Sequence, residues 1–166
     1  MAPVLIMVFT PLFAVMLTVA AATYAFTGFV GAFDRELLGV FDALMVVVLG
    51  LVLYAMSARE PSRPAGLMDR VQLLAVGSAL VLDVMVLASM VARIGDLGMT
   101  PNRAAALGLN LVLLVNLAGT AWLSTRFLTG RSAFHRLERW QTSYLPIFAL
   151  WAAIVVVVLP PLFSFR

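Results

Sequence analysis

The chain has 166 residues, of which 63% are hydrophobic and only 11% are charged, and its formal net charge at neutral pH is +3. A soluble domain of this size carries roughly 25% charged residues, so the composition excludes a protein whose whole surface faces water. The chain has no cysteine and a single histidine, which excludes disulfides, thiolate metal sites and sites built from several histidines.

Five apolar runs follow one another along the chain, and most are long enough to cross ~30 Å of hydrocarbon as a helix. They predict an all-α integral membrane bundle that forms one transmembrane domain over residues 1–166. The predicted transmembrane helices cover about residues 3–29, 37–57, 70–94, 102–127 and 144–159.

The first run begins without any charged residue, unlike the basic start of a cleaved signal peptide. Two interpretations of this start are open. Either Met1 is the native start, or it is an internal methionine and the chain is the C-terminal portion of a longer membrane protein. Pro11 predicts a kink in the first helix, which neighbouring helices can accommodate.

Two loops have clear boundaries. The linker over residues 58–69 contains two prolines and a glycine, which stop any helix there. The loop before the fourth helix ends at Thr100-Pro101. This pair predicts a helix start, because threonine caps a first turn and proline suits the first helical position.

The segment before the fifth predicted helix has an apolar face of its own. Four side chains recur there at spacings of 3, 3 and 4 residues: Phe134, Leu137, Trp140 and Tyr144. The pattern predicts a short amphipathic helix over about residues 131–142 in the membrane interface; the alternative is a docking site for a partner protein. Aromatic residues near predicted helix ends are typical interface anchors, and here they are Trp122, Trp140, Tyr144 and Phe163.

The loops alternate between the two sides of the membrane, so the arginines can be counted by side. The side of the N-terminus carries Arg59, Arg63, Arg70, Arg126, Arg131, Arg136 and Arg139. The other side carries Arg35, Arg93, Arg103 and Arg166. Because positive charge is enriched in cytoplasmic loops, the count predicts a cytoplasmic N-terminus. All basic residues are arginine, as is typical of a GC-rich bacterial genome, so we expect the bacterial inner membrane.

Polar residues inside the apolar runs are the best indication of a site, since an aspartate at a helix centre costs roughly 2.5–3.5 kcal/mol to insert. Asp83 lies at the midpoint of the third predicted helix, and Asn110 and Asn116 lie in the central part of the fourth. They form a candidate intramembrane polar site with two interpretations. A protonated Asp83 bonds an asparagine and joins two helices, or Asp83 titrates in a proton or cation path.

A second polar group lies on the predicted outer side. Asp42 is about two turns into the second predicted helix. We expect it to pair with Arg93 or Arg103, because arginine reaches into the interface from a helix end. The alternative is a small outward-facing polar site.

Motifs of enzymes are absent from the sequence: it has no HExxH, no paired-carboxylate motif and no phosphate-binding glycine loop. We therefore expect a non-enzymatic protein with a scaffold, assembly or regulatory role and without catalytic, cofactor-binding or metal-binding residues. The alternative is a proton- or cation-coupled transporter component that uses Asp83. The expected partners are the lipid bilayer and a second copy of the chain or another membrane protein, but not nucleic acid.

The stretch Arg93-Ile-Gly-Asp-Leu-Gly-Met-Thr-Pro-Asn-Arg103, with the apolar helix after it, resembles a pattern of the DUF4153 group of uncharacterised bacterial multi-pass membrane proteins. That pattern is Arg-Ile, a short turn, Gly-hydrophobic-Thr/Ser, two residues and an arginine. Where the pattern has an aromatic residue before the glycine, this chain has Leu97. The resemblance covers about residues 70 to 130, with a similar stretch at 137–142. It implies a longer parent protein with more helices upstream, but no substrate, cofactor or catalytic residue.

Overall fold

The computed structural model describes residues 2–27, 35–60 and 63–163, with the side chains of residues 2–6, 27, 35–38 and 41–42 outside the description. Within these ranges the chain forms six helices and no strand. In chain order they are α1 (Ala2–Thr27), α2 (Arg35–Ala58), α3 (Leu67–Leu97), α4 (Pro101–Leu128), α5 (His135–Val157) and the short α6 (Leu159–Leu162).

Four of these helices, α1, α3, α4 and α5, are long and apolar enough to cross a membrane. Within α2, Ala43–Ala58 is a shorter apolar helix. α3 has 31 residues, which is about 46 Å at 1.5 Å per residue. The predicted all-α membrane bundle is confirmed, and the chain is a multi-pass membrane protein.

α3 is the central helix, because it packs against α1, α2 and α4. Its buried residues form two neighbouring stripes, each with alternating spacings of three and four residues. One stripe is Ala75, Ser78, Leu82 and Met85, and its Ser78 contacts Thr18 of α1. The other stripe is Val76, Ala79, Asp83, Val86 and Met90, and its Met90 contacts Asn110 of α4. The central position of α3 therefore puts Asp83 in the core, although the helix is apolar on nearly every side.

α1 and α5 form the two edges of the bundle. α1 packs on α3 and α2, whereas α5 packs on α4 and α6. The remaining sides of both helices expose apolar residues, among them Val8, Leu12, Val15, Val19, Leu145, Leu150, Val156 and Val157. In a membrane protein such sides are solvated by lipid, because lipid tails are as apolar as leucine.

The segment before the fifth predicted helix differs from the prediction. Residues 135–142 do not form a separate interfacial helix but are the first turns of α5, which continues through Pro146. Phe134 and Leu137 belong to the protein core, and Tyr144 is buried as well. The apolar face that predicted an interfacial helix is therefore covered by protein, and α5 continues beyond it without a break at Pro146.

The helix ends follow local hydrogen bonding. Thr100 caps α4 as predicted, because its hydroxyl accepts from the Arg103 N–H at 3.4 Å and proline follows it. α3 begins at Leu67, three residues before the predicted start, since the Asp69 carboxylate accepts from the Gly66 N–H at 2.8 Å. α3 ends at Leu97, and the capping residue after it, Gly98, has a φ of 75° in the left-handed region that glycine adopts without strain.

Candidate functional site

Three buried polar side chains meet where α4 packs against α5. The amides of Asn116 on α4 and Gln141 on α5 exchange two hydrogen bonds, with Asn116 Nδ2 donating at 3.1 Å and Gln141 Nε2 donating at 3.4 Å. Gln141 Nε2 also donates to the Thr120 hydroxyl, which donates to the Asn116 carbonyl at 2.7 Å. Hydrogen bonds of this kind join helices in lipid, where water does not compete for the same groups.

Two tryptophans of α5 lie directly on two glycines of α4, Trp140 on Gly119 and Trp151 on Gly108. Each indole N–H donates to the α4 carbonyl three residues before its glycine, at 3.3 Å and 3.2 Å respectively. Between them, the Tyr144 hydroxyl donates to a third α4 carbonyl at 2.9 Å. Because the pairs are 11 residues apart on both helices, the same contact recurs after about three turns. Small residues permit this close approach.

Asn116 lies at about the level of Asp83, but it faces α5. The level follows from Asn110, whose Nδ2 contacts the Met90 sulfur of α3 at 3.7 Å. Asn116 is six residues after Asn110 and Asp83 is seven residues before Met90, so on antiparallel helices both lie in the same direction and at nearly the same distance from that contact. The hydrogen bonds of Asn116 go to Gln141 instead. The expected grouping of Asn116 with Asp83 therefore differs from the structure, and the reason is the rotation of α4 about its own axis.

The α4–α5 contact also changes the interpretation of two aromatic residues. Trp140 and Tyr144, expected to be interface anchors, pack on α4 and on one another, with ring centroids 5.2 Å apart. Trp122 is 65% exposed, as an anchor would be. Sequence reasoning missed Gln141, although it lies four residues after Leu137 and therefore on the same apolar face.

Asp83 and Asn110 are both fully buried, with 0% exposure. Asn110 Nδ2 donates to the carbonyl of Ala106 within α4 at 3.0 Å. Along the bundle it lies level with Met90, about 10 Å from the level of Asp83 at 1.5 Å per residue. The structure thus places Asp83 at the middle of the central helix, as predicted, and Asn110 about two turns nearer to one end.

A line of polar groups follows the contact between α1 and α3. The hydroxyls of Thr18 and Ser78 lie 2.9 Å apart. Toward the start of both helices, a cavity of about 10 Å³ is lined by Thr10 and Gln72, among others. The Thr10 hydroxyl is buried and has no hydrogen-bond partner among the described residues. A cavity of this size is at the lower limit for one water molecule, which the Thr10 hydroxyl would bind.

Arg59, in the linker between α2 and α3, connects several helix ends. Its guanidinium pairs with Asp69 of α3 at 3.0 Å and donates to the Arg63 carbonyl at 2.7 Å. It also lies over the rings of Phe127 and Phe134, at 4.7 and 4.4 Å from their centroids. These rings belong to the end of α4 and the residue before α5. Sequence reasoning counted Arg59 only as a loop charge, because nothing local indicates where its partners lie.

A larger cavity, of about 440 Å³, lies between α1, the end of α2 and the start of α3. Its wall includes Gln72, which also lines the small cavity beside Thr10. The two cavities therefore share one side chain, and the polar line along α1 and α3 begins at the larger one.

The expected ion pairs of Asp42 remain a prediction, since that side chain lies outside the described residues. The guanidinium of Arg103 donates to the carbonyls of Leu97 and Gly98, at 3.1 and 2.6 Å. These are the last carbonyls of α3, so Arg103 stabilises the negative end of that helix.

Replacing Gln141 with leucine is expected to lower the free energy of unfolding by about 1–2 kcal/mol, because the buried Asn116 amide loses both of its hydrogen bonds. The measurement is equilibrium unfolding of the purified protein in mixed micelles. The double substitution Gln141→Leu, Asn116→Leu should cost less than the sum of the two single ones, since no polar group is then left alone. Thr142→Val, on the exposed side of the same turn, is the matched control. Strict additivity would contradict the network.

Comparison with known proteins adds no family or relative to this description of the site. No family model, no curated protein and no solved structure matches the chain.

Proposed function

We propose that the protein is a non-enzymatic component of the bacterial inner membrane with a scaffold, assembly or regulatory role. The observation that carries this proposal is that three buried polar side chains of α4 and α5 bond one another and so join the two helices. Asn116, Thr120 and Gln141 bond one another, whereas a carrier would use such groups to bind its cargo. The bonds among these three side chains support a structural role for the protein.

Three further parts of the proposal rest on the sequence. The pattern from Arg93 to Arg103 supports a relationship with the DUF4153 group, and the arginine count supports a cytoplasmic N-terminus. The partner that we propose is a second copy of the chain or another membrane protein. The exposed apolar sides of α1 and α5 give room for such a partner.

A proton- or cation-coupled transporter component is the second candidate, and Asp83 is the observation that favours it. A carboxyl group that is fully buried at the middle of a membrane span is rare outside ion pathways. The polar line from Gln72 past Thr10 to the Thr18–Ser78 pair leads from the larger cavity along α1 and α3 toward the level of Asp83, which lies on the neighbouring stripe of α3. Measured along the axis of α3, Ser78 lies six residues or about 9 Å beyond Gln72, and Asp83 lies about 7.5 Å beyond Ser78.

Substitutions of Asp83 separate the two candidates. If the scaffold proposal holds, Asp83→Asn, which keeps shape and hydrogen bonding, is expected to leave the free energy of unfolding and the cellular phenotype unchanged. The scaffold proposal has Asp83 hydrogen-bonded to a neighbouring helix, so Asp83→Leu is expected to cost about 1–2 kcal/mol through the loss of that bond.

The deciding measurement is proton flux into liposomes that hold the purified protein and a trapped pH-sensitive dye. The scaffold proposal predicts that liposomes with the native chain and liposomes with Asp83→Asn both show the same proton flux as protein-free liposomes. A flux that needs the native protein and disappears in Asp83→Asn would establish the second candidate and overturn the first. Gln141→Leu weakens the α4–α5 contact but leaves Asp83 in place, so it controls for proton leakage through a loosened bundle.

A further inference from the structure

The larger cavity is lined by an apolar wall and a few polar side chains. The apolar part includes Met7, Pro11, Ala55, Met68 and Val71. The polar part consists of Arg59, Arg63, Asp69 and Gln72. Its volume of about 440 Å³ falls within the ~300–1,000 Å³ of typical small-molecule sites, which combine apolar walls with a few polar groups.

The charges around this cavity do not cancel. Arg59 is matched by Asp69 at 3.0 Å, and its remaining N–H groups face backbone carbonyls and the rings of the described chain. Arg63 is exposed, and its guanidinium makes no hydrogen bond or ion pair with the described residues. One positive charge is therefore available at the cavity, so the complementary ligand is an anion.

The surroundings of the cavity indicate where that anion comes from. Met7 and Leu67, which line it, are 60% and 77% exposed, on a protein whose apolar surface faces lipid. The arginine pair lies at the ends of α2 and α3, where membrane spans meet the headgroup region. A soluble anion would leave the apolar wall uncovered, whereas a lipid covers it with hydrocarbon.

We propose that this cavity binds one anionic phospholipid, with its phosphate at Arg63 and the first part of one acyl chain along the wall formed by Pro11, Met68 and Val71. Gln72, deeper in the cavity, offers amide N–H groups to the ester oxygens of the same lipid. The site goes beyond the proposed function, since it holds for a scaffold and for a transporter alike.

The test is native mass spectrometry of the delipidated protein in detergent, titrated with phosphatidylglycerol or with phosphatidylcholine. We expect one phosphatidylglycerol to be retained in preference to phosphatidylcholine. Arg63→Gln should weaken phosphatidylglycerol binding about fivefold, the factor that corresponds to one arginine at an anionic surface. Arg70→Gln removes an exposed arginine near the cavity that does not line it, and it should bind like the native protein.

Two further arms separate the lipid from other occupants. Val71→Phe places a large side chain in the cavity and should weaken the binding of both lipids. If size-exclusion chromatography shows that this variant misfolds, Ala58→Phe, at an exposed position that also lines the cavity, takes its place. Inorganic phosphate in excess should not displace the lipid. The proposal is overturned if phosphate does displace it, if both lipids bind equally, or if Arg63→Gln and Arg70→Gln behave alike.

Discussion

Replacing Arg59 with methionine is expected to lower the free energy of unfolding by about 2–3 kcal/mol, because the ion pair that it breaks is partly buried and lies between the exposed and the fully buried case. The side chains of Arg59 and Asp69 are only 9% and 17% exposed, so little water is available to solvate the carboxylate that remains. The guanidinium also fixes the linker through the Arg63 carbonyl and packs on Phe127 and Phe134. Unfolding in mixed micelles, followed by circular dichroism, measures the loss.

Two control variants separate the contacts of Arg59 from its charge. Arg59→Lys keeps the charge but lacks the planar fork that reaches a carboxylate and carbonyls together, so an intermediate loss is expected. Arg70→Met removes a nearby exposed arginine and should change the free energy of unfolding by less than about 0.5 kcal/mol. Equal losses in Arg59→Met and Arg70→Met would refute the role given to Arg59.

The second large effect is expected for Gly108→Ala, at a cost of about 2 kcal/mol. A methyl group at residue 108 would overlap the indole of Trp151, and overpacking of a tight contact typically costs ~1–3 kcal/mol. Alanine otherwise favours a helix over glycine by about 1 kcal/mol, so the sign of the change reports on the contact alone.

Two comparisons give this prediction its control. Gly77→Ala on α3 places a methyl group where nothing lies within 4 Å, and it should be neutral or stabilising. In a Trp151→Ala background the overlap is gone, so Gly108→Ala should no longer be destabilising. If Gly108→Ala costs as much in that background as in the native chain, the loss does not come from the indole.

Sequence alone predicts the helices of this protein well, because crossing hydrocarbon requires apolar runs of a fixed length. The start of α4 at Pro101 follows from Thr100 and proline, whose capping geometry is local. The predicted start of α3 is less accurate, since the observed start depends on a hydrogen bond from the Gly66 N–H to the side chain of Asp69. Local chemistry thus determines most of the element boundaries.

The partners of the buried polar groups could not be predicted in the same way. In a soluble protein the apolar stripe of a helix shows which side faces the core, but in lipid the outer side is apolar as well. The sequence therefore placed Asn116 at the right level without showing that it faces Gln141 instead of Asp83. The prediction of a separate interfacial helix has the same cause, because the apolar face over residues 134–144 can pack equally well against lipid or against α4.

The paired indoles of α5 have a consequence for spectroscopy. The chain contains three tryptophans; Trp140 and Trp151 donate their N–H groups to α4, while Trp122 is exposed. In a Trp122→Phe chain, tryptophan fluorescence would come only from the two indoles held between α4 and α5. The protein thus carries unlabelled reporters at two depths, and its emission would follow any separation of these helices in real time.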